Sequence, residues 1–136
     1  MISKCFMADD ASLDEVLEFV EAELEKAECP LNLITSVCVA IEEVFVNIAH
    51  YAYNDDDGEV CMSIDFNENS RTFRFVVSDR GIPFDPLKRP DPDVSVPPED
   101  RQIGGLGIFI AKRTMDSIAY SFENGENILV MTKRLP

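Results

Sequence analysis

Three short segments of this chain carry residue types that do chemistry only in combination: Glu43-Val44-Phe45-Val46-Asn47, Asp79-Arg80-Gly81-Ile82-Pro83-Phe84 and Gly104-Gly105-Leu106-Gly107. A carboxylate one helical turn from an amide, an acidic residue before a glycine turn, and a glycine cluster opening a helix can together hold a magnesium nucleotide. Asn47 suits Mg²⁺, an ion that takes hard oxygen ligands, few of them from protein and the rest from phosphate and water. Its amide oxygen adds no negative charge beside a triphosphate. Glu43 is placed to orient or deprotonate an attacking hydroxyl or water. Asp79 closes an apolar run; an ionised aspartate only accepts hydrogen bonds, which selects a ring amine such as N6 of adenine. Gly81 lets the backbone approach that base, since no Cβ intervenes. At Gly104, Gly105, Leu106 and Gly107 the backbone can come close to phosphate, with the N-terminus of the following helix aimed at it.

Each segment read alone has a plainer meaning. Glu43 and Asn47 also fit the solvated face of an amphipathic helix, Asp79 and Gly81 a turn after a strand, and the glycine cluster a hinge. In this order they point to ATP. The glycine cluster is not a Walker P-loop, because no G-K-[ST] follows at the required spacing, and no βαβ unit makes it a dinucleotide fingerprint. His50, the only histidine, reads as a polar group on the phosphate side; with no serine or cysteine in an elbow motif, a hydrolytic triad has little support.

The elements that must position these residues are legible from periodicity. Residues 2–8 read as a first strand. Ser12-Leu13-Asp14-Glu15 has the form of a capping box before a helix over about 12–27, which Pro30 closes. Ile34, Val37, Ile41, Val44, Phe45, Ile48 and Ala52 make one apolar stripe over about 32–53, with Glu43, Asn47 and His50 on the other side. Strands follow at 59–66 and 72–79, joined by Asn67-Glu68-Asn69-Ser70. Six of the eight prolines then fall within residues 80–103, too long for an ordinary connection and characteristic of a lid or a disordered segment. A third helix runs from Gly107 to about Ser117, and strands at 118–123 and 127–133 turn at Asn124-Gly125-Glu126. Strands arriving as hairpins argue for α+β: a two-layer sandwich with a mostly antiparallel (mixed) sheet and three helices on one face.

The bulk numbers bound the partners. A chain of 136 residues, 46% of them apolar, fits one domain with one core. A net charge of −14 opposes binding to nucleic acid and favours a basic protein partner. No apolar run approaches the roughly 18 residues of a membrane span, and no signal-peptide core is evident; the expectation is a cytoplasmic protein without a membrane partner. Cys5, Cys29, Cys38 and Cys61 lack C-x-x-C spacing, so zinc is not expected and the cysteines read as small buried apolar side chains.

With the three segments in place, the chain resembles the Bergerat-fold ATPases, and most of all the small bacterial anti-sigma-factor serine/threonine kinases. The likeness runs over nearly the whole chain, as one histidine-kinase-like ATPase domain, 1–136. The resemblance implies ATP and Mg²⁺ as cofactors, Glu43 as catalytic base, Asn47 as Mg²⁺ ligand, Asp79 as adenine reader and Gly81 as the glycine behind it. It implies an ATP lid at about 85–103, phosphate-binding Gly105 and Gly107, and Arg101 or Arg89 at the γ-phosphate. The implied reaction is transfer of the γ-phosphate to a serine of an anti-sigma antagonist, by a kinase that is often a homodimer and also sequesters a sigma factor. One departure is that Tyr51, not histidine, stands four residues after Asn47. The alternative is a module, with or without bound nucleotide, that acts only by sequestering its partner.

Overall fold

Val60, Met62 and Ile64 alternate with less buried residues, as do Phe73, Phe75 and Val77, and each strand buries that one apolar side. The computed structural model describes residues 1–53, 56–88 and 106–136. It forms one sheet from β1 (Ile2–Met7), β2 (Glu59–Asn67), β3 (Thr72–Asp79), β4 (Ser117–Glu123) and β5 (Glu126–Arg134), in the order β1-β2-β3-β5-β4. All four pairings are antiparallel, so the sheet is not mixed among the described residues. Helices α1 (Leu13–Lys26), α2 (Leu31–Tyr51) and α3 (Leu106–Thr114) bury Val16, Val20, Ile41, Phe45, Ile108 and Ala111 against the inward strand residues in a single core. The α+β two-layer arrangement with helices on one face is therefore the one expected. Phe75, on the central strand, is wholly buried.

Local details differ from expectation where a neighbouring group competes. Ser12 does not cap α1 through its side chain. Asp9 instead caps a short 3-10 turn, Asp10–Ser12, accepting from Ser12 N (2.9 Å) and Ser12 Oγ (2.7 Å), and α1 follows directly. The last hairpin turns through Asn124 and Gly125, with φ of 54° and 79°, the paired positive angles of a type I′ turn. Two cysteines depart from the reading as buried apolar side chains: Cys5 and Cys61 are joined as a disulfide, while Cys29 and Cys38 are free and buried. Strand register, invisible in their spacing, sets them opposite each other.

α2 is long and apolar enough, by length and composition, to cross a membrane. In this fold its buried residues, Ile34 to Phe45, form the centre of the core.

Candidate functional site

The site is built where α2 stops. Ala52 N–H bonds to Ile48 O (3.0 Å) and closes the helix, and Ala52 O then accepts from Ile82 N (2.8 Å) in the turn after β3. Tyr53 completes the tie: its hydroxyl donates to Glu59 O (2.6 Å) and accepts from Arg80 N (2.9 Å). The end of α2 is thereby bound to the start of β2 and the end of β3, bringing Asn47 and Asp79 to one place. Gly81 is required by this approach. A Cβ there would lie 2.4 Å from Ala52 O and 2.5 Å from Ala52 Cβ.

Between these elements lies a cavity of about 290 Å³. Val44, Asn47, Ile48 and Tyr51 of α2 form one wall, and Val77, Asp79 and Leu129 the floor. Ile82, Pro83 and Phe84 form a rim, and Ile108 of α3 the remaining side. The walls are mostly apolar, with a few polar groups converging at the floor, the usual makeup of a small-molecule site.

Asp79 is the charged group at that floor and is 6% exposed. Its Oδ1 accepts from Gly81 N (2.9 Å) and from Asn127 Nδ2 (2.9 Å). Oδ2 has no hydrogen-bond partner among the described residues, and Asp79 lines the cavity. Burial raises the Asp79 carboxyl above the ordinary carboxylate range; the Asn127 amide and the Gly81 N–H oppose that rise, and the Glu126 carboxylate adds to it.

Asn127, at the inward start of β5, organises this corner and was missed in the sequence. Its Oδ1 accepts from Tyr120 Oη (2.5 Å) and Phe84 N (3.1 Å), and its Nδ2 donates to Ile82 O (3.0 Å) as well as to Asp79. The available signal was its alternation with Leu129 and Met131, which puts a polar side chain at a core-facing position.

Of the residues singled out in the sequence, Asn47, Asp79 and Phe84 line the cavity, and Gly81 lies directly behind its rim. Glu43 sits half-buried on α2 one turn before Asn47 and does not itself line the cavity. His50 is not brought in: its Nε2 lies 2.8 Å from Asp10 Oδ1, and its ring is exposed. Because it follows Asn47 by three residues and not four, it rotates toward the turn before α1. Leu106 and Gly107 open α3. Arg89, Arg101, Gly104, Gly105 and all of the expected lid beyond residue 88 lie outside the described residues.

The family model described as the histidine kinase-like ATPase domain matches residues 6–133. The serine-protein kinase RsbW of Bacillus thuringiensis (strain Al Hakam) is 35% identical over 104 residues, covering 74% of this chain and 63% of the relative. The chain thus spans less than two thirds of the length of the curated relatives it matches. Among solved structures, the RsbU and RsbW domains of a Mycobacterium tuberculosis protein align with a TM-score of 0.63 at 16% identity, over 99% of this chain and 33% of that one. The histidine kinase domain of the Erythrobacter litoralis blue-light activated kinase aligns at 0.57 and 19% identity, over 78% of this chain and 46% of that one. At these identities the structural likeness speaks for the fold.

Proposed function

From the premise that this chain belongs to the histidine kinase-like ATPase domain family, we propose that it is an ATP-dependent protein serine kinase acting as an anti-sigma regulatory factor. The observation that carries the proposal is the convergence of Asn47 and Asp79 on one apolar-walled cavity. The purine would lie between the α2 wall and Leu129, with its exocyclic amine donating to Asp79 Oδ2. The donor set fits this role, since the floor offers an acceptor held in place by its own hydrogen bonds.

Asn47 would supply an amide oxygen to Mg²⁺, which when bound offsets the charge of the phosphates. The N-terminus of α3, preceded by Gly104 and Gly105, would take the phosphates themselves. Glu43, one turn from Asn47, would hold the proton of an attacking serine hydroxyl. Residues 85–103 would act as the lid, Arg101 or Arg89 would meet the γ-phosphate, and 1–136 would form a single domain. The acceptor would be a serine of an anti-sigma antagonist, as the similarity to RsbW supports. A sigma factor would be a second partner, with a homodimer as the working unit and the cytoplasm as its location. The net charge of −14 suits basic protein surfaces and disfavours nucleic acid.

One observation favours a second reading, partner sequestration without catalysis: Glu43 does not line the cavity. The two readings separate on Glu43→Ala. Incubation with Mg-ATP and an antagonist-domain protein, scored by phosphopeptide mass spectrometry, should show transfer by the wild type. Loss of transfer in Glu43→Ala with ATP affinity retained supports the kinase; absence of transfer in the wild type refutes it.

A further inference from the structure

The four cysteines divide into two chemically different pairs. Cys29 and Cys38 are buried in the core, and burial raises both thiols, Cys38 to about 11 with the Glu21 carboxylate adding to the rise. They are poor nucleophiles and poor ligands, because the thiolate is the reactive form. Cys5 and Cys61 lie on the sheet face opposite the helices. They stand directly across from each other in the β1–β2 register, with Cα atoms 4.0 Å apart. Cys5 is exposed and Cys61 half-buried.

A third group joins them. Glu59 precedes Cys61 by two residues on the same strand, so its side chain points to the same face. One of its carboxylate oxygens and the two sulfurs all lie within 4.8 Å of one another.

We propose that Cys5, Cys61 and Glu59 form a redox-gated cation site: a disulfide when oxidised, and when reduced a three-ligand thiolate–carboxylate site for a divalent ion such as Zn²⁺. The register makes this possible. Six residue pairs hold β1 against β2, so opening the S–S bond leaves the two sulfurs within ligand reach. Two thiolates and one carboxylate are a ligand set zinc accepts, with water completing the tetrahedron. In a cytoplasmic protein, as proposed above, a disulfide is usually transient and redox-sensing. The exposure of Cys5 admits the oxidant.

With hydrogen peroxide the electrons balance. The Cys5 thiolate attacks one peroxide oxygen, the O–O bond breaks, and the departing hydroxide takes a proton and leaves as water. Cys5 is then a sulfenic acid. The Cys61 thiolate attacks the Cys5 sulfur, the S–S bond forms, and the sulfenic hydroxyl leaves as hydroxide, which takes a proton from solvent to become a second water. Both thiolate ligands are consumed, so the ion departs. Two low-molecular-weight thiols reverse the bridge by successive exchange, through a mixed disulfide, and leave as their own disulfide.

The test uses the full chain with Zn²⁺ alone as probe, and needs no nucleotide. In protein reduced with a phosphine, one Zn²⁺ should bind per chain and protect Cys5 and Cys61 from alkylation, as mapped by mass spectrometry. Peroxide should release the ion and form the Cys5–Cys61 bridge. Glu59→Gln should weaken binding by at least the roughly 10–100-fold that loss of an outer-shell partner costs. Cys5→Ser and Cys5→Ala, checked for native circular dichroism, should lose both metal and bridge. Binding no tighter in the wild type than in these variants, a bridge that forms without any metal affinity, or an ion that peroxide does not displace would each overturn the proposal.

Discussion

Replacing Gly81 by alanine isolates one contact on which the whole site depends. The φ of Gly81 is not among the positive values in this chain, so the substitution carries no left-handed strain. Its cost is steric. The added Cβ would meet Ala52 O at 2.4 Å and Ala52 C at 2.7 Å, both backbone atoms at the end of α2 that cannot rotate away. The turn must retreat by about 1 Å to reach ordinary contact, the kind of overpacking that costs roughly 1–3 kcal/mol. That retreat also breaks the 2.8 Å bond from Ile82 N to Ala52 O, a net loss of about 1 kcal/mol. We expect destabilisation of about 3 kcal/mol. With an unfolding entropy of about 2.1 cal/mol/K per residue, this lowers Tm by roughly 10 °C in a chain of this length. Nucleotide affinity should fall too, because Ala52 and Ile82 both line the cavity. The assay is a thermal melt paired with ATP titration. Ala52→Gly should not rescue the variant, because the carbonyl oxygen remains. Gly125→Ala is the contrast: its Cβ would meet nothing within 4 Å, but its φ of 79° imposes strain, so it should cost about 1–2 kcal/mol and leave ATP affinity unchanged. A Gly81→Ala protein with wild-type Tm and affinity would show that α2 and the β3 turn are not packed as described.

Other consequences follow from the same geometry. Because the Asp79 carboxyl is raised by burial, the folded state binds its proton more tightly than the unfolded one. Its contribution to stability is therefore lost as pH rises from the unfolded value of 3.8 through the raised folded value. Asp79→Asn should flatten that part of the stability–pH curve and abolish adenine selectivity; unchanged affinity for ATP would end the adenine-reading assignment. In the wild type, ATP affinity should fall on acidification at a pH above that of an ordinary aspartate, since a protonated Asp79 is a poorer acceptor. Asn127→Leu strands Phe84 N and removes a donor from Asp79, so we expect about 2–3 kcal/mol of destabilisation and a further rise of the Asp79 carboxyl, readable by NMR titration. Tyr120→Phe should cost only about 1 kcal/mol. Reduction of the Cys5–Cys61 bridge, which closes a loop of sequence separation 56, should lower stability by up to about 4 kcal/mol in the chain-entropy picture. Chemical denaturation with and without reductant measures this, and coincident midpoints would show that the unfolded chain gains no freedom.

What the amino-acid order determined by itself was what near neighbours control. The stripe from Ile34 to Ala52 specified α2, the alternation in Thr72–Asp79 specified β3, and Asn124-Gly125 specified a tight hairpin, because helix, strand and turn preferences act over a few residues. Asn47 and Asp79, which meet at one cavity, stood out for a related reason: residue type and spacing can be read without knowing the fold around them. Tertiary structure decided what depends on residues distant in sequence. It set Asn127, 48 positions on, against Asp79, and turned His50 away to Asp10. It also assigned Gly81 to the end of α2 and placed Cys61 across from Cys5. The His50 contact joins the last turn of α2 to the turn before α1; the others follow from sheet register and from where α2 meets the end of β3. Those are properties of the packed sheet and helices together, and the energy that selects them is shared over the whole core.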